Sequence, residues 1–232
     1  MKLREWDKIP AFMRCNEIKE YYDILAGKQR ALRIKRVFDI VLSGILLIIL
    51  AIPMIVIAVM IKRDSQGPVF YRQERVTSYG TKFRIHKFRT MVNNADRIGS
   101  AVTVGGDSRI TKMGSKLRDL RLDELPQLID VFLGNMSFVG TRPEATKYVK
   151  RYTKEMYATL LLPAGITSEA SIRYKDEAAL LEAAEDVDDV YVNEVLPGKM
   201  KYNLESIRRF SLIHELATMF RTVFAVFGKK YR

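Results

Sequence analysis

An uncharged apolar run from Ile40 to Ile61, interrupted by Pro53, constrains this chain more than any other feature. At ~1.5 Å of rise per residue it makes roughly 33 Å of helix, enough for a hydrocarbon core of ~30 Å. Arg30, Arg33, Lys35 and Arg36 precede the run, and Lys62 and Arg63 follow it. Basic residues gather on the cytoplasmic side of a bilayer, so a simple span should be basic at one end only. Two readings meet this double flank. One is a proline-kinked single span, which membranes tolerate. The other is a segment that dips into the bilayer and returns to the same face. Pro53 offers the turn for the second, because it lacks an N–H and its ring clashes with the preceding turn. The position and length of the run, and Lys62-Arg63-Asp64 after it, argue against a secretory signal peptide.

Length and charge bound the remainder. A chain of 232 residues fits one domain plus a membrane element. A net charge of +12 and a pI near 9.7 call for anionic partners: phospholipid, nucleic acid or a phosphorylated substrate. The membrane segment favours lipid surfaces and phosphate-bearing ligands. No recognisable nucleic-acid motif accompanies the charge, so nucleic acid is not an expected partner. Cys15 stands alone, which rules out an intrachain disulfide and fits a reducing cytoplasm. With His86 and His214 as the two histidines, no zinc-type cluster can form, and any metal is expected to have oxygen ligands.

Residues 1–30 read as a polar lead-in. Within it Ile18, Tyr21, Tyr22 and Leu25 at helical spacing predict an amphipathic helix from Asn16 to Ala26. Gly67-Pro68 breaks the chain after the apolar run. Val69-Phe70-Tyr71 and Lys82-Phe83-Arg84-Ile85 then predict a hairpin turning at Ser78-Tyr79-Gly80. Helical patterning runs from Met113 to Leu133, and an acidic helix is expected over Glu177 to Asp186. Between Leu204 and Phe227, residues Phe210, Ile213, Leu216, Phe220, Val223, Phe224 and Phe227 fall mostly on one face. Arg208, Arg209, Arg221, Lys229 and Lys230 surround it. Such a stripe fits a helix lying in the lipid interface, or equally a core-facing helix.

Chemistry concentrates between Lys87 and Glu144, in Lys87, Arg89, Asp107, Arg109, Arg118, Arg121, Asp123, Glu124, Arg142 and Glu144. Carboxylates among guanidinium groups suit phosphoryl transfer. Arginine clamps phosphate oxygens in a bidentate fork, while a carboxylate can attack phosphorus or hold Mg²⁺. Asp123-Glu124 stands just before Leu125-Pro126-Gln127, and proline is favoured in a helix's first turn. A helix starting there would help keep both acids ionised and attract an anion. Plain capping is the commoner use of acids at such a place, and pattern alone favours it.

The motifs shift that balance. Lys35-Arg36-Val37-Phe38-Asp39 leads the apolar run, and Gly67-Pro68-Val69-Phe70-Tyr71-Arg72-Gln73 follows it. Phe83 to Met91 reads FRIHKFRTM, and Asp107-Ser108-Arg109-Ile110-Thr111 comes next. Arg121 to Leu128 reads RLDELPQL, and Gly134 to Glu144 reads GNMSFVGTRPE. In order and spacing these resemble the bacterial sugar transferase family, the monotopic phosphoglycosyl transferases, over about residues 31–228.

The resemblance implies transfer of sugar-1-phosphate from a UDP-sugar to undecaprenyl phosphate at the cytoplasmic face of the bacterial inner membrane. Asp123 maps to the family's nucleophile, which attacks the β-phosphate, expels UMP and forms an aspartyl-phosphosugar intermediate. Glu124 maps to a Mg²⁺ ligand. Arg118, Arg121 and Arg142 are the expected phosphate clamps, with Lys87 and Arg89 nearer the lipid phosphate. Lys62 and Arg63 are expected at phospholipid headgroups, and Asp107 with Arg109 fits a structural ion pair as well as a catalytic task. The family's membrane segment is a re-entrant helix broken near a proline, matching Pro53.

The expected fold is therefore α+β: a mainly helical, small membrane-associated domain with a re-entrant helix, a short β-hairpin and amphipathic interfacial helices. Residues 1–30 would form the lead-in, 31–66 the membrane helix and 67–232 the catalytic domain. A homodimer is compatible with such a surface. Three departures stand out: Ile52 where many relatives carry Ser, Thr141 in place of the Pro of Gly-Pro-Arg-Pro, and Ser168-Glu169-Ala170 after Pro163-Ala164-Gly165-Ile166-Thr167. The alternative is a catalytically inactive membrane scaffold of the same fold, against which the intact Asp123-Glu124 dyad speaks.

Overall fold

The computed structural model describes residues 1–95, 107–174, 177, 181 and 186–227. Helix α1 (Asn16–Ala26) spans the residues that its apolar spacing predicts, with Ile18, Tyr21 and Leu25 fully buried. Together with Leu3, Ile9 and Met13 they enter the largest core, which also holds Tyr148, Leu161, Tyr191, Leu196, Met200 and Phe210. The stretch read as a lead-in thus supplies part of the main core.

Helices α2 (Gln29–Ile49) and α3 (Ala51–Asp64) follow, bent by 61° at a break around Leu50. Pro53 lies in the first turn of α3, where it has no N–H to give Ile49 and its ring crowds that carbonyl, so the helix bends just before it. No single helix is long and apolar enough to cross a membrane, but the bent pair together has the length and composition.

The faces of α2 are inverted relative to a soluble helix. Lys35, Asp39 and Ser43 are buried, while Ile34, Val37, Val41, Ile45 and Ile49 are exposed and Ile48 reaches 80% exposure. Buried polar groups need partners, and these have them. Asp39 accepts from Ser137 Oγ at 2.9 Å and from the Phe138 N–H at 3.3 Å. Lys35 donates to the Val139 carbonyl at 3.0 Å and pairs with Glu215. Ser43 Oγ donates to the Asp39 carbonyl at 2.6 Å. Arg36, next to Lys35, donates to the carbonyls of Val131 and Phe132 at 2.6 and 2.8 Å.

Strands β1 (Phe70–Val76) and β2 (Lys82–Phe88) pair antiparallel, Phe70 opposite Phe88 and Val76 opposite Lys82. The hairpin turns where the sequence places it, through Ser78–Gly80, with Tyr79 and Gly80 both at positive φ. The helical pattern from Met113 to Leu133 is not one helix. It divides into α4 (Lys112–Asp119) and α5 (Gln127–Leu133), separated by a 3-10 turn over Leu122–Glu124. Arg121, at φ 55°, sits in the left-handed region and cannot continue a right-handed helix.

Strands β3 (Met136–Val139) and β4 (Ala164–Thr167) form a parallel pair, with α6 (Thr146–Val149) between them and α7 (Glu169–Arg173) after. Helix α8 (Val187–Val190) runs through a π turn into α9 (Leu196–Arg208), and α10 (Leu212–Phe227) closes the described chain. The C-terminal stripe is therefore split. Phe210 is buried between α9 and α10, and Ser211 Oγ accepts from the His214 N–H at 3.2 Å, starting a fresh helix. Ile213, Leu216, Phe220, Val223 and Phe224 are exposed along α10. Most of the expected acidic helix, the Phe227 side chain, Lys229 and Lys230 lie outside the described residues.

Candidate active site

The turn that interrupts the expected helix is the centre of the site. With Arg121 in the left-handed region, α4 stops and the chain presents Asp123 and Glu124 on the 3-10 turn before α5 starts. A non-glycine residue held at positive φ costs of order 1–3 kcal/mol and persists only where its surroundings impose it. Leu122 and Leu125, on either side of the dyad, pack against a small core of Ile57, Ile61, Phe88 and Leu117, so α3, β2 and α4 all brace the turn.

Three cations reach it from three directions. Lys87, near the end of β2, sets Nζ 2.8 Å from Glu124 Oε1. Arg142, on the loop after β3, donates to both Glu124 oxygens, the longer contact being 3.3 Å. Arg118, on the last turn of α4, donates its Nε to Thr90 Oγ1 at 2.9 Å, and its charge acts on Asp123. Two close backbone approaches make this possible. A Cβ on Gly114 would lie 2.0 Å from the Thr90 carbonyl oxygen, so only glycine lets α4 lie against the end of β2. One on Gly165 would lie 2.2 Å from the Gly140 nitrogen, so β4 can press on the loop that carries Arg142 only with glycine there.

The two acids have different surroundings. Burial works against ionising Glu124, but Arg142 and Lys87 outweigh it and hold its carboxyl well below the usual carboxylate range. Burial and the neighbouring Glu124 charge push Asp123 up, partly offset by Lys87, Arg118 and Arg142. Lys87 is pushed down by its burial, and the Glu124 charge raises Arg142. Adjacent carboxyls driven apart in this way take different chemical roles. Glu124 is a fixed anion committed to cations, and Asp123 is the more basic carboxyl.

The remaining expected site residues lie elsewhere. Arg89 is buried and donates to the carbonyls of Gln66 (2.5 Å) and Ser65 (2.7 Å), tying the end of α3 to β2 rather than joining the cations around Asp123. Arg121 contributes its backbone to the turn and leaves its side chain exposed. Asp107 and Arg109 form a bidentate ion pair, the closest contact at 2.6 Å. Glu144 is buried, accepting from the Tyr191 hydroxyl at 2.7 Å and facing Lys199 at 3.5 Å. Sequence reasoning passed over Asp130, which is fully buried and accepts from the His86 N–H and from Nδ1, each at 2.8 Å. This pins β2 to α5 one residue before Lys87. The signal was an acid inside the apolar string Leu128-Ile129-Asp130-Val131-Phe132, which requires a buried partner.

For Mg²⁺ the donor chemistry fits. Mg²⁺ is held by one or two protein carboxylates, with water and substrate phosphates completing its shell. Asp123 and Glu124 supply two adjacent carboxylates, and among the described residues Glu124 Oε2 carries only the 3.3 Å contact from Arg142.

Bacterial sugar transferase is the description of the family whose profile matches residues 30–229, a span holding every residue of the cluster. The chain belongs to that family. Among similar proteins, the UDP-N-acetylgalactosamine-undecaprenyl-phosphate N-acetylgalactosaminephosphotransferase of Aeromonas hydrophila is 34% identical over 194 residues, covering 82% of this chain and 43% of that one. A UDP-glucose:undecaprenyl-phosphate glucose-1-phosphate transferase of Escherichia coli K12 is 33% identical over 99% of this chain and 46% of its own. One of the same name from Caulobacter vibrioides is 34% identical over 82% of this chain and 68% of its own. The chain thus spans under half the length of the first two relatives.

Proposed function

We propose that this family member transfers sugar-1-phosphate from a UDP-sugar to undecaprenyl phosphate, releasing UMP. The observation that carries the proposal is the split dyad: Glu124 clamped by Lys87 and Arg142, beside an Asp123 whose carboxyl is the more basic. The names of the relatives supply the donor and acceptor classes.

In the first step an Asp123 carboxylate oxygen attacks the β-phosphorus of the donor. The bond from that phosphorus to the bridging oxygen breaks, and UMP leaves with the electron pair. In the second, a phosphate oxygen of the acceptor attacks the aspartyl phosphorus. The bond to Asp123 breaks and the free carboxylate returns. Splitting the transfer lets a soluble donor and a lipid acceptor use one nucleophile in turn. Both substrates are polyanions, so Lys87, Arg118 and Arg142 offset repulsion around an anionic nucleophile. Mg²⁺, held by Glu124 with Asp123 beside it, would neutralise diphosphate charge when bound.

The same reading places α2 and α3 in the cytoplasmic leaflet as a re-entrant pair. Their apolar faces are exposed, and cations remain exposed at both ends in Arg30, Arg33, Lys62 and Arg63. The apolar face of α10 would lie in the headgroup interface. The membrane is the bacterial inner membrane, entered from its cytoplasmic side.

The test is UMP release from a panel of UDP-sugars with undecaprenyl phosphate and Mg²⁺ in detergent. Release with one donor, lost on EDTA treatment and lowered at least a thousandfold in Asp123→Asn with thermal unfolding unchanged, is the expected result. An Asp123→Asn protein that turns over at the wild-type rate would overturn the nucleophile assignment.

A further inference from the structure

We propose that Lys199, in the first turn of α9, is a positioning residue for the transfer: by neutralising Glu144 and Glu177 it keeps the Arg142 guanidinium on Glu124. This rests on the reaction assigned above. Arg142 stands between two sets of anions. On one side it donates to Glu124. On the other, it lines a cavity of about 110 Å³ together with Glu144, Glu177, Tyr191 and Lys199. Lys199 Nζ lies 3.0 Å from Glu177 Oε2, 3.5 Å from Glu144 Oε1 and 3.0 Å from the Tyr191 hydroxyl, and its side chain is only 5% exposed. A lysine so deeply buried is held by the charges it faces. Here both of those charges are carboxylates that also face Arg142.

The backbone around Arg142 leaves the choice of partner to the side chain. The Val76 N–H donates to the Glu144 carbonyl at 3.0 Å, Arg75 to the Pro143 carbonyl at 3.3 Å, and the Gly165 N–H to the Thr141 carbonyl at 2.9 Å. The loop is thus pinned on both sides of Arg142, while the Arg142 side chain is 33% exposed and has room to swing. Charge decides where it rests. The Glu124 charge does most to raise Arg142, and Glu177 and Glu144 act on it in the same direction. Lys199 offsets the pull of those two. Without it, Glu144 would be a buried carboxylate lacking its cation, a costly state that a nearby guanidinium relieves. Arg75, the other cation on the cavity, is held by the Pro143 carbonyl and by Gln73. Arg142, two residues from Glu144, would be drawn across, and Glu124 would keep Lys87 alone.

Exchange of labelled UMP into the UDP-sugar reads the first displacement without any acceptor. Lys199→Met is expected to lower kcat/KM for exchange at least tenfold. That loss should vanish in an Arg142→Met background, because the effect passes through the guanidinium. A residue that only held the fold would add its own loss there. Adding Glu144→Gln and Glu177→Gln to Lys199→Met removes both competitors, and exchange should return to within threefold of wild type. The new amide at position 144 can still accept from the Tyr191 hydroxyl. Should Lys199→Met not fold, Lys199→Met with Glu144→Gln leaves the partly exposed Glu177 as competitor. Exchange should be low in that protein and restored by Glu177→Gln. Wild-type exchange in a protein lacking Lys199 but keeping a competing acid would overturn the proposal, as would an unrestored loss in the triple variant. Absence of exchange in the wild type would sink the proposed reaction instead. A structure of the Lys199→Met, Glu144→Gln protein then decides the positioning alone. Arg142 on Glu177 supports it, and Arg142 still on Glu124 overturns it.

Discussion

Helices α1 and α2 are consecutive in the chain and share a burial spacing, yet they are built inside out relative to each other. In α1 the buried positions are Ile18, Tyr21 and Leu25, with charged residues outward. In α2 the buried positions after Leu32 are Lys35, Asp39 and Ser43, with isoleucine and valine outward. Both patterns mark one face at three- to four-residue intervals, as any packed helix must. The difference teaches that periodicity reports which residues share a face but not which face turns inward; under the proposed membrane placement, the medium outside decides that. Against water the apolar face is sequestered. Against hydrocarbon there is nothing to gain by hiding isoleucine, and polar groups must find partners inside the protein.

The comparison can be broken most severely at Lys35. Lys35→Met leaves Glu215 buried without its cation and is expected to destabilise the protein by about 3–5 kcal/mol, the usual effect of removing one partner of a buried pair. Lys35→Met combined with Glu215→Met should recover most of that loss, measured by thermal unfolding in detergent. A single variant as stable as wild type would show that the pairing does not hold α2 in place.

Truncating apolar side chains sharpens the contrast between the two helices. Leu25→Ala in α1 is expected to cost about 2–5 kcal/mol, since it leaves a cavity in a closed core. Ile48→Ala in α2 should change stability by less than about 0.5 kcal/mol, as an exposed position does. Equal losses at the two sites would mean that Ile48 is covered by protein in the working enzyme.

The smallest effect lies at the dyad, outside both helices. The raised Asp123 carboxyl predicts an acid limb for UMP exchange above the ordinary aspartate value of 3.8. Because Asp123 must be ionised to attack, activity falls as pH drops through that limb. Lys87→Met removes a cation that lowers the Asp123 pKa, so the limb should move to higher pH, read from the pH profile of kcat/KM. Movement to lower pH would contradict the assignment of roles within the dyad.

Much of this molecule was legible in its residues. The span of α1, the hairpin and its turn, and the apolar run with its break near Pro53 follow from local chemistry, while the Asp123-Glu124 dyad stood out only through the motifs around it. The interruption at Arg121 did not. Nothing in Leu120-Arg121-Leu122 forbids a helix, and the left-handed backbone there depends on Leu122 and Leu125 packing against residues of α3, β2 and α4. The fate of the arginines was equally hidden. Arg89 and Arg142 both stand in motif blocks, but Arg89 holds the end of α3 while Arg142 clamps Glu124. The same guanidinium serves either purpose.

By itself the sequence determined the family, the Asp123-Glu124 pair within its motifs and an apolar run broken near Pro53. Those depend on short motifs and on hydrophobic runs, which neighbours along the chain define. Only the tertiary structure decided which cations meet Glu124, that Asp130 pins His86, and that α2 turns its polar stripe inward. Those contacts join positions from 18 to 180 residues apart, and partners outside one element are selected by packing, which leaves no local trace in composition or spacing.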